Sequence, residues 1–438
     1  MDALFDAFKA VRNKIDETDY SGYTIQYPPM FAWGPIGTDD VLGGWKKSLR
    51  RRHDHLGLYV HIPFCATRCT FCRYYAIALS QERNIDGYLS ALKNEILIYR
   101  DIFNDIPFHT LYIGGGTPSL LSHKQLKFFF ETLYGNLNFE HKRQVVFEGV
   151  SDFLNFEKLS YLKEMGLDRL TLGVQTLEEG ILKEVNRHQN NGEFFRCYQD
   201  ARRAGIKFVN VDLMLGLPGQ TLDSVWRNLR DVIKVQPDMI HCHPFYPAKF
   251  TALQDKDIKK TAKMVRLAKE IVKKYGYRET RYDADALTPD AVNIQLSDAI
   301  EHNSSYLGVG VAAVSHATGY LRTANIEDIK LYMSRLQKKE LAVTKGCKLS
   351  EKDEMIYYVT STLRYGYVPQ KGFRDLFGRN LSEVFEKEIA FLKNTQKLEE
   401  GNDGLVSLMA DYDEYAIYSK VFFDPRIINE FLIQKSEK

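Results

Sequence analysis

Three of the chain's six cysteines lie close together in the stretch HIPFCATRCTFCRYYA (61–76). Cys65, Cys69 and Cys72 follow the spacing Cys-x₃-Cys-x₂-Cys, whereas the other cysteines are scattered along the chain. Three thiolates on one short loop can bind a metal ion or three corners of an iron–sulfur cube. The spacing therefore indicates a metal centre at this loop.

Two kinds of metal centre are compatible with these cysteines. Structural zinc normally takes four protein ligands, but no fourth cysteine or histidine stands at a suitable spacing, and His61 lies on the preceding strand. A 4Fe–4S cluster on three cysteines leaves one iron open to bind a small molecule. We therefore expect one 4Fe–4S cluster on Cys65, Cys69 and Cys72, with structural zinc as the alternative.

A histidine pair in the stretch IHCHPFY (240–246) offers candidates for a general base. Alternation along a strand puts His241 and His243 on one face and Cys242 on the other. A hydrogen-bonded packing role is the alternative for each histidine. Tyr246 and His316 are weaker candidates for the same role.

The elements that must position these residues form a regular series. Apolar, β-branched runs at 58–64, 110–116, 144–150, 169–175, 208–218 and 239–247 alternate with helix-like segments. Such alternation predicts a parallel sheet with right-handed crossovers, hence an α/β fold with a partial (βα)₆ barrel. Chemistry in such barrels takes place at the carboxyl ends of the strands, which is where the cysteine loop begins.

Four regions are predicted along the chain. Residues 1–55 form an amphipathic helix with Leu4, Phe5, Phe8, Val11 and Ile15 on one face, followed by an irregular arm and a basic cluster, WKKSLRRRHDH (45–55). The barrel occupies 56–255, a mainly helical extension follows at 256–348, and a helical, winged-helix-like module at 349–438 ends the chain. The basic cluster is read as a solvated linker, with contact to an anionic surface as the alternative.

Composition narrows the class of protein. The 59 basic and 57 acidic residues nearly cancel, which argues against a nucleic-acid binder. The N-terminus has no signal-peptide pattern, and no apolar run reaches the roughly 20 residues of a membrane span. We expect a cytoplasmic protein whose cysteines are thiols or metal ligands rather than disulfides.

The cysteine motif and its surroundings resemble a known family. Cys-x₃-Cys-x₂-Cys at the end of the first barrel strand is similar to the signature of the radical S-adenosylmethionine (SAM) superfamily. The wider pattern YVHIPFCxxxCxFC, GGGTPS, GVQ, VNR and VDLMLGLPGQT resembles the oxygen-independent coproporphyrinogen dehydrogenase subgroup over about residues 56–320. The resemblance implies a cluster whose open iron binds SAM, and an electron that cleaves SAM to a 5′-deoxyadenosyl radical.

The resemblance also implies two SAM molecules bound side by side. The matching positions for binding them are Tyr59, Phe71, Gly115, Gly116, Thr117, Glu148, Gln175, Arg187 and Asp212. For Arg187 and Asp212, pairing with each other across neighbouring strands is the alternative. The resemblance further implies an external electron donor such as flavodoxin or ferredoxin.

Departures from the subgroup's patterns decide which branch is expected. Arg73 and Tyr74 follow the third cysteine, where the dehydrogenase has Gly-Cys, and FEGV (147–150) replaces its Glu-x-Asp-Pro. The haem-chaperone motif HNxxYW is incomplete, because no Tyr-Trp pair follows His302 and Asn303. These differences favour the class C radical SAM methyltransferases, which add a methyl group to an sp² ring carbon.

Menaquinone, at C8 of its naphthoquinone ring, is the expected substrate, because an amphipathic N-terminus suits a lipid-soluble molecule at the inner membrane surface. The alternatives, in order, are haem methylation with ring opening, the coproporphyrinogen dehydrogenase reaction, and a non-enzymatic haem chaperone. Packing of the N-terminal helix against the barrel is the alternative to a peripheral membrane contact.

Overall fold

The computed structural model describes residues 2–18, 27–51, 55–253, 257–281, 284–409 and 412–428. Parts of the predicted N-terminal arm (19–26) and of the basic cluster (52–54) lie outside these residues. No helix in the described ranges is long and apolar enough to cross a membrane.

The strands lie in three sheets. The largest has thirteen strands in the order β1-β15-β14-β13-β12-β2-β5-β6-β7-β8-β9-β11-β10, and the smaller sheets pair β16-β18-β17 and β3-β4. The strands are β1 (Gly34–Pro35), β2 (Gly57–Ile62), β3 (Phe64–Cys65), β4 (Ile77–Ala78), β5 (Phe108–Gly115), β6 (Phe139–Gly149), β7 (Arg169–Gln175), β8 (Phe208–Leu215), β9 (Met239–Pro244), β10 (Arg278–Arg281), β11 (Ala284–Ala286), β12 (Tyr306–Val309), β13 (Val314–Ala317), β14 (Leu321–Asn325), β15 (Val343–Lys348), β16 (Tyr367–Pro369), β17 (Leu398–Glu400) and β18 (Gly404–Ser407).

Helices connect the strands. They are α1 (Asp2–Thr18), α2 (Thr38–Arg51), α3 (Ile85–Phe103), α4 (His123–Tyr134), α5 (Phe156–Glu164), α6 (Glu179–Glu184), α7 (Asn191–Arg203), α8 (Leu222–Ile233), α9 (Ile258–Lys274), α10 (Ile294–Glu301), α11 (Ile329–Gln337), α12 (Glu351–Leu363), α13 (Gln370–Phe377), α14 (Leu381–Val384), α15 (Glu386–Asn394) and α16 (Tyr412–Tyr418). Side-chain caps fix several helix starts: Ser122 and Thr221 form capping boxes, and Asn84, Asn155 and Asn190 each accept a bond from a first-turn N–H.

The predicted α/β fold and its six parallel strands are confirmed. Strands β2, β5, β6, β7, β8 and β9 are parallel neighbours. Their buried faces share one apolar core with the crossover helices. Because successive strands run in the same direction, their carboxyl ends meet at one edge, and the loops that follow them lie together.

The region after residue 255 contains more strand than the sequence suggested. Strand β12 adds a parallel neighbour to β2, and β13, β14, β15 and β1 continue the sheet with antiparallel pairs. At the opposite edge, β11 pairs antiparallel with β9, and β10 pairs antiparallel with β11. These strands are two to six residues long, too short to show a clear sequence period.

The C-terminal region is helical, as expected, and also carries a small sheet. Helices α12–α16 pack around the antiparallel strands β16, β18 and β17, with a separate apolar cluster beneath them. The N-terminal helix belongs to the same cluster, because Val11 and Ile15 are buried in it and the Phe5 ring lies 5.7 Å from that of Tyr418. The apolar face proposed for a membrane is thus largely covered by the C-terminal region, although Leu4 is exposed.

Helix α2 corrects the interpretation of the basic cluster as a linker. The helix runs through Arg51, and Trp45 and Leu49 on its inner face are buried in the barrel core. Lys46, Lys47 and Arg50 are exposed and therefore stand on the outer face of an amphipathic helix rather than on an extended segment.

Candidate active site

A cavity of about 500 Å³ opens at the carboxyl ends of the parallel strands. All of the residues predicted for the site line it: the three cysteines, the two histidines of β9, and Tyr59, Phe71, Gly115, Gly116, Thr117, Glu148, Gln175, Arg187 and Asp212. Strands separated by up to 180 residues meet here because the parallel sheet aligns their ends. The structure brings these side chains together, and their individual roles remain predictions.

Backbone contacts hold the cysteine loop in place. The Arg68 guanidinium donates to the carbonyl oxygens of Ala76 and, at 2.7 Å, Phe250. Asn186 Nδ2 donates to the Arg68 carbonyl at 2.9 Å, and Thr117 Oγ1 lies 3.4 Å from Cys65 Sγ. The loop is therefore fixed to neighbouring segments from both sides, which keeps the three thiols directed into the cavity.

The spacing of the thiols bears on whether they form a compact site for a single ion. Two sulfur ligands of one tetrahedral zinc, each about 2.3 Å from the metal, are separated by about 3.8 Å. Among the described residues, sets of three donor atoms within 4.8 Å of one another occur twice, and neither set contains these cysteines. The three thiols therefore do not form a compact single-ion site in this arrangement, which disfavours the zinc alternative. Burial also raises the pKa of the Cys65 thiol to about 12, so that a bound metal centre is needed to hold it as thiolate.

Two glycines let the end of β5 approach the cysteine loop. Gly115 has a φ of +114°, and a Cβ there would lie 2.7 Å from the His61 ring. A Cβ on Gly116 would lie 2.7 Å from the carbonyl oxygens of Pro63 and Phe64. The N–H groups of Gly116 and Thr117 instead donate to Ile62 and Phe64 at 2.8 and 2.7 Å. Side chains at either glycine would displace the segment that leads into Cys65.

Glu148 lies in the cavity wall at the end of β6. Its Oε1 accepts a 2.5 Å bond from the Tyr112 hydroxyl, and its Oε2 accepts from the Gly115 N–H at 3.2 Å. Burial raises the pKa of Glu148 to about 7, an effect that these two donors reduce without cancelling. A ligand that brings an ammonium or hydroxyl donor would stabilise the carboxylate further.

Asp212 pairs with both histidines of β9. Its Oδ1 lies 2.8 Å from His241 Nδ1, and its Oδ2 lies 3.8 Å from His243 Nε2. Burial by itself would raise the pKa of Asp212, but the two imidazoles outweigh burial and hold it below the ordinary value. At 2.8 Å, Oδ1 and Nδ1 are closer than two donors to one metal ion would be, which is about 3.4 Å. His241 and His243 thus line the cavity and also hold the Asp212 carboxylate in place.

Arg187 folds over the cavity mouth. Its Nη2 donates to the Gly173 carbonyl, its Nε donates to Gln189 at 3.1 Å, and its Nη1 lies 3.8 Å from Cys69 Sγ. No ion pair joins Arg187 to Asp212 in the described part of the chain, where Asp212 takes histidine partners instead. The structural pairing considered as an alternative is therefore not the arrangement in this protein.

Arg187→Ala is expected to keep the fold and the iron content while SAM cleavage falls by about tenfold or more, about 1.4 kcal/mol. The guanidinium is placed to pair with a carboxylate beside Cys69, and none of its protein partners is an acid. The measurement is 5′-deoxyadenosine formation by the anaerobically reduced protein, with the melting temperature as the fold control. Full cleavage activity in the folded variant would exclude a role in SAM binding.

Sequence reasoning missed an arginine in the far wall of the cavity. Arg322, on β14, is fully buried, and its guanidinium carbon lies 3.9 Å from the ring centroid of Tyr357 on α12. Its Nε and Nη1 have no hydrogen-bond partner among the described residues. Glu354 is the acidic side chain near Arg322, but its carboxylate already has other partners. It lies 3.0 Å from His316 Nε2 and accepts a 2.9 Å hydrogen bond from Asn303 Nδ2. The sequence feature that could have pointed to Arg322 is the position of an arginine within the run YLRTANI (320–326).

The remaining candidates separate into cavity and core. Tyr246 lines the cavity, whereas His316 is fully buried against Glu354. Cys197 and Cys242 are buried in the barrel core, as the sequence suggested. Cys347, which was expected on a loop, lies on β15 opposite Arg322.

Comparison with known proteins agrees with this geometry. Residues 59–232 match the family described as the Radical SAM superfamily. The oxygen-independent coproporphyrinogen III oxidase of Pseudomonas aeruginosa is 29% identical over 80% of this chain and 81% of its own length. The haem chaperone HemW of Bacillus subtilis is 26% identical over 75% of this chain and 88% of its own length.

A solved structure extends the likeness to the whole fold. The coproporphyrinogen III oxidase HemN from Escherichia coli, described as a radical SAM enzyme, has a TM-score of 0.80 with 24% sequence identity. The alignment covers 91% of this chain and 96% of that one. The cofactors of this superfamily are a 4Fe–4S cluster and SAM, and the three cysteines with the cavity beside them fit that set.

Proposed function

We propose that the chain, whose residues 59–232 match the Radical SAM superfamily, is an enzyme that acts on a tetrapyrrole carrying carboxylate side chains. The substrate enters the cavity between the cysteine loop and β14. SAM would occupy the part of the cavity that Glu148, Arg187 and Asp212 line, and a second SAM molecule would bind beside it.

Arg322 is the observation that carries this proposal. A buried guanidinium with two unpartnered nitrogens is costly unless a bound group satisfies it. A carboxylate offers two acceptor oxygens in the geometry that a guanidinium fits best. A tetrapyrrole with acidic side chains supplies such a group, whereas the naphthoquinone ring of menaquinone offers only neutral carbonyl oxygens.

Different residues of the barrel would bind the cluster and SAM. Cys65, Cys69 and Cys72 would hold three irons of a 4Fe–4S cluster, which supplies the electron for reductive cleavage of SAM when bound. Arg187 stands beside Cys69 to pair with the SAM carboxylate, and Glu148 and Asp212 offer acceptors to ammonium and hydroxyl groups. Positioning the cofactors against the substrate is the protein's main contribution, as is usual when a cofactor carries the difficult chemistry.

Aromatic side chains close the cavity on several sides. Tyr59, Tyr112, Tyr306 and Tyr357 line it, and Tyr59 donates or accepts a 2.9 Å bond with His61 Nδ1. Burial lowers the pKa of His61 to about 4, so this imidazole is neutral at pH 7. Such walls exclude water from a reactive radical and offer flat surfaces to a macrocycle.

Oxidation of coproporphyrinogen III is the first candidate reaction, because the curated relatives at 27–29% identity include enzymes of that name. Methyl transfer to a ring carbon of haem is the second candidate. It is favoured by Arg73 and Tyr74 after the third cysteine, where the dehydrogenase pattern has Gly-Cys. Menaquinone methylation is the function expected from sequence. Neither these relatives nor the buried guanidinium of Arg322 in the cavity wall supports it.

One experiment separates these possibilities. The reduced, cluster-loaded protein is incubated anaerobically with SAM and either coproporphyrinogen III, haem or menaquinone, and the products are identified by mass spectrometry. We expect 5′-deoxyadenosine together with an oxidised tetrapyrrole. A methylated tetrapyrrole would establish the second candidate, and a methylated menaquinone would overturn the proposal. Stable haem binding without SAM turnover would identify a chaperone, as in the HemW relatives.

SAM affinity is expected to depend on the ionisation of Glu148. Burial raises the pKa of Glu148 to about 7, so the side chain is mostly protonated below that pH. A SAM ammonium or hydroxyl group that donates to the carboxylate must then displace this proton. The affinity should fall by up to about tenfold for each pH unit below 7. Isothermal titration between pH 6 and 8 measures it, and Glu148→Gln should bind weakly with little pH dependence. Equal pH dependence in the variant would assign the effect to another group.

The raised pKa of Glu148 has the opposite effect on the stability of the ligand-free protein, which falls as the pH rises. A carboxyl whose pKa is raised in the folded state stabilises the fold fully below its unfolded value, near 4.5, and this contribution is lost as pH rises through 7.

A further inference from the structure

A second group of possible metal ligands lies at the opposite end of the barrel from the cysteines. His55 precedes β2, His109 is the second residue of β5, and Asp298 lies on α10. Because β5 runs from His109 to the cavity at Gly115, about six residues away, the two sites are about 20 Å apart. This group therefore belongs to neither the cluster nor the SAM cavity.

The donor atoms of the three side chains converge. They all lie within 4.8 Å of one another. Asp298 Oδ2 is 3.5 Å from His55 Nδ1 and 3.8 Å from His109 Nε2. Two ligands of one tetrahedral zinc, at about 2.0–2.1 Å from the metal, are separated by about 3.4 Å. The observed separations are thus close to those around one ion and long for hydrogen bonds.

Asp298 gives an independent indication that something is bound between these side chains. Its side chain is more than nine-tenths buried, and its Oδ2 accepts no hydrogen bond from the described residues. His55 Nδ1, which faces it, is likewise buried without a hydrogen-bond partner. A buried carboxylate oxygen without a donor is costly, and a cation on it removes that cost.

The surroundings of His109 match those of a metal ligand. Its Nδ1 lies 2.8 Å from Glu140 Oε2, so that a proton on Nδ1 is donated to the carboxylate and the lone pair of Nε2 faces Asp298. Metal-bound histidines generally have such a carboxylate on the other nitrogen, which fixes the tautomer and raises basicity. His302 stacks on His55 at 4.8 Å between ring centroids and limits the rotation of that ring.

We propose that His55, His109 and Asp298 form a second metal site, which takes a divalent transition-metal ion of the zinc class at the amino ends of the barrel strands. Two imidazoles and one carboxylate suit such ions better than Mg²⁺ or Ca²⁺. The ion joins three segments that are far apart in sequence, and a fourth coordination position is left for water.

Zinc itself is the probe for the test. Cluster-loaded protein is dialysed against Zn²⁺, zinc and iron are counted together, and zinc-edge X-ray absorption identifies the ligands. We expect about one zinc per chain in addition to the cluster iron, with nitrogen and oxygen but no sulfur ligands. Zinc should also raise the melting temperature. Absence of stoichiometric zinc, or sulfur in its ligand shell, would overturn the proposal.

Variants locate the ion. Asp298→Asn and His109→Ala should weaken zinc binding by about 100-fold or more, and Glu140→Gln by about tenfold, through the orientation of His109. The Glu140 side chain is 41% exposed, so its variant tests the site even if a ligand variant fails to fold. His123→Ala, which removes an exposed histidine on α4, is the matched control and should bind as the wild type does. Unchanged zinc affinity in folded Asp298→Asn or in Glu140→Gln would exclude this site.

Discussion

Cys65→Ala, Cys69→Ala and Cys72→Ala are each expected to abolish SAM cleavage. A cluster on three cysteines already leaves one iron without a protein ligand, and loss of another thiolate leaves two irons exposed. The anaerobically reconstituted wild type should hold about four irons per chain, and each variant clearly fewer, with 5′-deoxyadenosine at the level of a protein-free control. Iron analysis, the visible absorption of the cluster and chromatography of the products measure these outcomes.

Cys197→Ala and Cys242→Ala are the matched controls. Both thiols are buried in the barrel core, away from the cysteine loop, so their loss should cost stability without removing iron. A fully active Cys72→Ala protein, or a wild type that binds zinc at these three cysteines and remains active, would contradict the cluster assignment.

Arg322→Gln is expected to weaken binding of a carboxylated tetrapyrrole by about 30-fold or more. Truncating one partner of a buried charge pair typically costs about 2–5 kcal/mol. The methyl ester of the same tetrapyrrole should bind the wild type weakly, and Arg322→Gln should distinguish little between acid and ester. Fluorescence titration of the four combinations gives the coupling between the guanidinium and the carboxylate.

Substrate-free SAM cleavage serves as the fold control for Arg322→Gln, because the cysteine loop lies on the other wall of the cavity. Arg335→Gln, which removes a surface arginine paired with the exposed Glu340, should bind the tetrapyrrole normally. If folded Arg322→Gln retains full affinity for the acid, the substrate proposal loses its main support.

The sequence alone predicts the parts of the site that depend on the order of residues and elements along the chain. The cysteine spacing places three thiols on one loop whatever the rest of the chain does. The alternation of strands and helices requires a parallel sheet, and in such a sheet the strand ends at Gly115, Glu148, Gln175 and Asp212 must converge. The cysteines named from their spacing and the strand-end residues named from the family resemblance all line one cavity.

Only the tertiary structure decided which side chains face one another. Asp212 and His241 meet because β8 and β9 pair in a particular register. Arg322 reaches the cavity because β14 joins the sheet through β13 and β12, strands too short to be recognised from a periodic pattern. His55, His109 and Asp298 lie up to 243 residues apart in sequence, and no motif links them. Their convergence follows from the sheet order and the docking of α10, which depend on long-range packing rather than on local sequence.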